Sequence, residues 1–321
     1  YEYLTYQKPG TTEVIPGLAE RWEVAKDGKS VTFYLRKGIP FHGDWGEFTA
    51  EDVKFTLETA MKPDARQTQA PKLRQKIDSI VVEDKYKITL RLKEPYFDLL
   101  YDLWNGYLPF LSIHSKKYVE AVGEDKAAVE PIGTGPYKFV EYKRGQYLKF
   151  EALDEHWRQV PYFKSLTIRQ VPEAATRVAM LSTGEADIIE ISLAMKKEVE
   201  AAGFGIRRTM RSNDYQVILG GQYLPKWEKY DPTIPWVGPT PERALKVRQA
   251  LNLAVNRQAI IDHVLIGEAG PLLATWGFRP GDPWSDPAWK PYPYDPKKAK
   301  ELLAEAGYPN GFELEMILVV M

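Results

Sequence analysis

Four histidines, His42, His114, His156 and His263, are the first residues to ask for acid–base or metal chemistry, and none lies three or four positions from another. A site built on one helix face needs that spacing, so zinc binding and histidine catalysis have no local support. Each histidine reads as a surface or capping residue. Gly133-Thr134-Gly135 is followed by Pro136 and a strand-like run rather than by a helix whose amide end could hold phosphate, and it reads as a turn. No Gly-x-Ser-x-Gly and no Gly-x-x-x-x-Gly-Lys-Ser/Thr occurs. Aspartate and glutamate total 44, yet nothing in the sequence pairs two of them for acid–base work. Cysteine is absent, which removes disulfides and thiolate chemistry. The expectation is a protein that is not an enzyme, with no catalytic residues, no metal and no cofactor.

Aromatic side chains offer a different chemistry, that of binding. Tyr101, Trp104, Tyr107 and Phe110 cluster around Asn105-Gly106, where they could stack on a flat group or donate a phenolic hydrogen bond to a ligand. Packing of one part of the fold against another accounts for the same residues, most readily for all but Tyr107. Trp284 and Trp289 sit in a proline-rich stretch, 280–296, and allow the same two readings.

The elements that must position these residues follow from local patterns. Val31–Arg36 is β-branched and aromatic between turn residues, hence a strand, and Ile77–Glu83 with Lys87–Leu92 forms a hairpin around Asp84-Lys85-Tyr86. Tyr137–Tyr142 and Tyr147–Phe150 form another. From Leu166 the order is strand, a helix over 173–182, then a strand at Ala186–Ile189, which suggests an α/β layer. Thr49 caps a helix carrying Val53, Leu57 and Ala60. Thr240-Pro241 opens another with Ala244, Val247, Leu251, Ala254 and Val255 as its buried stripe, and a further helix runs from Arg257 to Ile266. The sharpest signal is Asp295-Pro296 through Gly307, a capped helix with apolar residues at helical spacing. Phe312–Val320 reads as a central strand.

Composition bounds the partners. With 43 basic against 44 acidic residues, no global field attracts nucleic acid or an anionic membrane. The longest apolar run, Met316–Met321, is far short of the roughly 20 residues of a spanning helix. The chain opens on Tyr1-Glu2-Tyr3 without an initiator methionine and stops inside that run, so it reads as cut at both ends.

Several stretches resemble the family 5 extracellular solute-binding proteins, the group of oligopeptide, dipeptide and nickel receptors. They are Ile15-Pro16-Gly17-Leu18-Ala19-Glu20-Arg21-Trp22, Phe48-Thr49-Ala50-Glu51-Asp52-Val53, Ile132-Gly133-Thr134-Gly135-Pro136-Tyr137, and Val247-Arg248-Gln249-Ala250-Leu251-Asn252 through Arg257. In the family pattern Ala19-x-x-Trp22 lies on a helix turn, and an aspartate is usual where Asn256 stands.

The resemblance implies an α/β fold of the type II periplasmic-binding-protein kind, two lobes with an extra domain (cluster C) and an incomplete second lobe. Residues 1–8 and 131–214 would form the first-lobe core, 9–130 the inserted extra domain, and 215–321 the second lobe. Tyr107 stands where nickel-type relatives carry an arginine for an anionic chelate, which favours a neutral ligand. Gln67, in Ala65–Gln69, falls at a candidate rim. Tyr107, Trp104, Gln67, Trp284 and Trp289 are thus the candidate ligand contacts. The implied function is an extracytoplasmic receptor of an ABC importer, monomeric, binding a small solute, foremost a peptide, and docking on a membrane permease. It would be periplasmic or extracellular, and membrane-associated if lipid-anchored. A sugar-oligomer receptor of the same fold, a ligand-sensing domain of a larger regulator, and a hydrolase of peptides or oligosaccharides are the other readings.

Overall fold

The computed structural model describes residues 1–8, 11, 13–65, 67, 70–96, 99–100, 111–207, 217–270 and 286–315. The chain divides into two compact units, Tyr1–Pro172 and Glu173–Met321.

The first unit is organised by antiparallel sheets. Strand β1 (Thr5–Gln7) pairs with β2 (Val14–Pro16). The turn that follows is so close to β1 that a side chain at Gly17 would stand 2.5 Å from the Tyr3 carbonyl oxygen. Only glycine allows that approach.

A four-stranded sheet carries most of the core. Its strands are β3 (Ala19–Val24), β4 (Ser30–Leu35), β5 (Ile77–Asp84) and β6 (Lys87–Leu92), in the order β3-β4-β6-β5. Strict alternation along β4 sends Val31, Phe33 and Leu35 inward and leaves Thr32 and Tyr34 on the wet face. Register sets Val31 against Leu90 and Phe33 against Ile88, so inward residues share one face. Helix α1 (Ala50–Ala60) covers it with Val53, Leu57 and Ala60. Burying a side chain such as Phe33, fully inaccessible here, contributes roughly 1.5–3 kcal/mol. The strand and hairpin expected at 31–36 and 77–92 are present. Ala19–Val24, expected to contain a helix turn, is a strand instead, because its edge pairs with β4 through Trp22 opposite Phe33.

The start of α1 is a polar lock. The Asp52 carboxylate accepts hydrogen bonds from the Thr49 backbone N–H (2.8 Å) and the Thr49 hydroxyl (3.0 Å), and its other oxygen accepts from the Lys116 N–H (2.9 Å). That last bond ties α1 to helix α3 (Lys116–Val122), which the Ser115 side chain caps by accepting from the Tyr118 N–H. Short helices α2 (Ala70–Lys76) and α4 (Glu124–Val129) complete this part.

Strands β7 (Tyr137–Lys143), β8 (Tyr147–Ala152) and β9 (Ser165–Arg169) make an antiparallel three-stranded sheet. Phe139 pairs with Phe150, Phe150 with Leu166, and Leu148 with Ile168, so these apolar residues share one face; Leu166 and Ile168 are largely exposed.

The second unit is helical in its described residues. It begins with α5 (Ala174–Ser182), then a short α6 (Lys196–Ala201). Ala186–Ile189, expected to be a strand, is not in one: the segment has no ladder partner among the described residues and Ile188 is 90% exposed. An apolar run becomes a strand only where another edge can pair with it. Helix α7 (Pro241–Leu253) is capped by Thr240, whose hydroxyl accepts from the Arg243 N–H, and α9 (Pro296–Glu305) by Asp295, which accepts from the Lys298 N–H at 2.8 Å. The two pack through Ala250, Leu253 and Ala299. The stripe of α7 is Ala244, Val247, Ala250 and Leu253; Leu251 is half-buried, and Ala254 and Val255 are exposed because the helix ends at Leu253. The Asp295 N–H donates to the Leu253 carbonyl at 2.9 Å, which draws that side of α7 toward α9. Arg243 completes the contact, its Nε (2.9 Å) and Nη2 (2.6 Å) both donating to the Ala306 carbonyl.

The helix expected from Arg257 to Ile266 is a short turn, α8 (Arg257–Ala259), running into a π-helical turn at Ile260–Val264. Asn256 caps it, its side-chain oxygen accepting from the Ala259 N–H at 3.0 Å. Residues 312–315 are not in a strand, and the remainder of the strand expected there lies outside the described residues.

Candidate functional site

Of the five candidate ligand contacts, Trp104, Tyr107 and Trp284 lie outside the described residues. Gln67 precedes α2, and its carbonyl accepts from the Ala70 N–H at 3.1 Å. Its side-chain oxygen Oε1 is buried and has no hydrogen-bond partner among the described residues. An acceptor left in that state costs about 1–3 kcal/mol, so its presence calls for a donor. Trp289, in the second unit, is 47% exposed, and its N–H donates to the Asp286 carbonyl at 2.9 Å.

A groove of about 710 Å³ opens in the first unit between α3, α4 and β7, with Trp45, Tyr118, Val122 and Phe139 among its walls. None of the three buried side-chain atoms without partners, Thr5 Oγ1, Gln67 Oε1 and Tyr96 OH, belongs to a residue lining it. The groove therefore offers apolar surface without an unmet polar demand.

The densest polar chemistry of the first unit lies elsewhere, around the turn at Gly133–Gly135. Glu2 is 1% exposed, and its carboxylate accepts from the Thr134 hydroxyl (3.0 Å), Trp157 Nε1 (2.8 Å) and Arg158 Nη2 (3.1 Å). Three donors on one carboxylate offset the cost of taking it out of water. The Arg158 guanidinium also lies over the Tyr6 ring, 4.9 Å from its centroid, and Arg36 over Trp157 at 4.9 Å. Gly133 packs against the backbone of Tyr1, whose Cα would be 3.0 Å from a side chain there.

Three of the four histidines gather at this place, which corrects their reading as surface or capping groups. His42 donates from Nε2 to the Gly135 carbonyl at 2.7 Å and accepts at Nδ1 from the Gly133 N–H at 3.4 Å. His156, with only 3% of its side chain exposed, donates from Nε2 to the Thr134 carbonyl at 2.9 Å. His114 meets the Tyr1 ring at a tilt with centroids 4.6 Å apart, and burial pushes its pKa down to about 4. His263 is exposed. Their separations in sequence, up to 114 positions, gave no local signal, and only the alternation of buried strands around them could have hinted at burial. Among the described residues no group of three His, Cys, Asp or Glu side chains could hold a metal ion, and no helix is long and apolar enough to cross a membrane.

The sequence profile of the bacterial extracellular solute-binding proteins, family 5, middle region, matches residues 13–320. The chain belongs to this family. It is 34% identical to Heme-binding protein A of Haemophilus influenzae over 98% of its own length and 58% of that protein's. It is 32% identical to the Dipeptide-binding protein of Escherichia coli, covering 98% of this chain and 59% of that protein. Among solved structures it resembles an ABC transporter-associated periplasmic binding protein of Helicobacter pylori in complex with the peptide STSA, with a TM-score of 0.71, 30% identity, and coverage of 97% of this chain and 61% of that one. The family 5 chain thus has the mixed helix and sheet fold of the type II periplasmic binding proteins, and it spans under two thirds of the length of the relatives it matches.

Proposed function

We propose that this family 5 protein is the extracytoplasmic solute-binding subunit of an ABC importer and that its ligand is a peptide. The family match across residues 13–320 carries the reading, and the names of the dipeptide-binding and peptide-bound relatives support the ligand class. In this reading the protein makes and breaks no bond, works as a monomer in the periplasm or outside the cell, and hands its cargo to a membrane permease. Residues 1–8 and 131–214 form the first-lobe core, 9–130 the extra domain and 215–321 part of the second lobe.

Two lobes that each contact a ligand close on it because affinity for the closed form exceeds affinity for the open one; equal affinities would shift nothing. A peptide suits such a cleft, since its backbone N–H and C=O groups need partners while its side chains tolerate wet pockets. Gln67 is assigned here as a ligand contact, its unfilled Oε1 waiting for a peptide N–H. Trp289 and, from the sequence, Trp104, Tyr107 and Trp284 are assigned as aromatic walls.

Native mass spectrometry of the full-length protein as purified tests the reading. Retained masses of short peptides, displaced by added dipeptide in calorimetry, support it. A retained oligosaccharide, or cleavage of added peptides, overturns it.

A further inference from the structure

The turn at residues 132–136 joins two parts of the first unit, following α4 and leading into β7. Its three central carbonyls and the Gly133 amide are held by His42 and His156, from two distant segments. His42, from the turn after β4, accepts the Gly133 N–H at Nδ1 and donates from Nε2 to the Gly135 carbonyl, while its backbone N–H donates to the Gly133 carbonyl at 3.0 Å. His156, from the segment after β8, donates from Nε2 to the Thr134 carbonyl between them. Its Nδ1 accepts from the backbone N–H groups of Arg158 (3.3 Å) and Gln159 (3.2 Å). Both rings therefore work only as neutral imidazoles with the proton on Nε2.

We propose that His42 forms a proton-sensitive clasp on the turn at 132–136, its Nδ1 holding the Gly133 N–H at neutral pH and releasing it in acid. Protonating the His42 ring turns Nδ1 from an acceptor into a donor that faces the Gly133 N–H, so the bond there becomes repulsive. The Nε2 bond to the Gly135 carbonyl and the backbone bond to the Gly133 carbonyl remain, so the release is confined to the Gly133 amide.

The charged surroundings set where this happens. Around His42 lie His156 and Glu2; around His156 lie Glu2, whose Oε2 is 3.7 Å from Nε2, and Arg158, which Glu2 binds. Burial holds the His42 pKa below its ordinary value; the Gly135 carbonyl and Glu2 oppose that, while His156 reinforces it. A lowered folded-state pKa means that the His42 contribution to stability is whole above about 6.5 and is lost as pH falls from there through the folded value.

Hydrogen exchange of the full-length protein tests the clasp. After correction for intrinsic rates, the amides of Gly133 and its neighbours Thr134 and Gly135 should exchange roughly tenfold faster at pH 5 than at pH 7.5, about one unit of linked protonation. His42→Gln keeps a donor and an acceptor but cannot titrate, so it should flatten that response; His263→Gln should not. In parallel, the ring nitrogens of His42 in the unaltered protein should titrate over the pH range in which these amides lose protection. Unchanged protection from pH 7.5 to 5, an undiminished acid response in His42→Gln, or ring titration in a different range each overturns the proposal.

Discussion

Glu2 and Thr134, 132 positions apart, meet through a buried hydrogen bond of 3.0 Å from the threonine hydroxyl to the carboxylate. The bond fixes the chain's first residues against the turn that begins β7, and the same carboxylate also binds Trp157 and Arg158.

Removing that acceptor should be costly. Glu2→Ala leaves the Thr134 hydroxyl and the Trp157 N–H without a partner, at about 1–3 kcal/mol each, so a loss of at least about 2 kcal/mol is expected in urea unfolding. Arg158 adds little to this sum because its side chain is about half exposed. Combining Glu2→Gln with Thr134→Val should cost less than the two single changes added together, since they remove one shared interaction.

Acid should weaken the fold through His114 as well. Its folded pKa of about 4 lies below the unfolded 6.5, so the unfolded chain binds the proton first and stability declines as pH falls from about 6.5 to 4. Asp52 acts in the opposite sense, because burial raises its pKa and protonation relieves a desolvated charge. Urea midpoints taken between pH 7.5 and 4.5 should fall, and fall less steeply in His114→Gln.

In the second unit, Arg243→Lys should cost about 1–2 kcal/mol. A lysine keeps the charge but cannot place two N–H groups on the Ala306 carbonyl in the way the guanidinium does. Chemical unfolding followed by helix signal reads this directly.

Gln67→Leu separates a ligand contact from a structural residue. Because Oε1 has no partner to lose, thermal stability should be unchanged or slightly higher, while peptide affinity drops about tenfold or more in calorimetry. Equal affinity would remove Gln67 from the binding site.

Local chemistry made much of this architecture legible. Thr49, Thr240 and Asp295 announced their helices because a cap acts within three residues, and Thr32 and Tyr34 between Val31, Phe33 and Leu35 announced a half-buried strand. What depends on distant partners stayed hidden. Ala19–Val24 became a strand through β4, Ala186–Ile189 failed to become one for want of an edge, and the burial of His42, His114 and His156 follows from a junction assembled across the whole first unit. Gln67 was found only through family likeness; its orphaned oxygen is a property of three dimensions.

The tightness behind Gly17 has a practical side. Randomised libraries aimed at the β1–β2 hairpin should hold that codon fixed, since even a methyl group would collide with the Tyr3 carbonyl and the Tyr6 ring at once. Clones recovered with any other residue there would mark a hairpin that had been rebuilt rather than decorated.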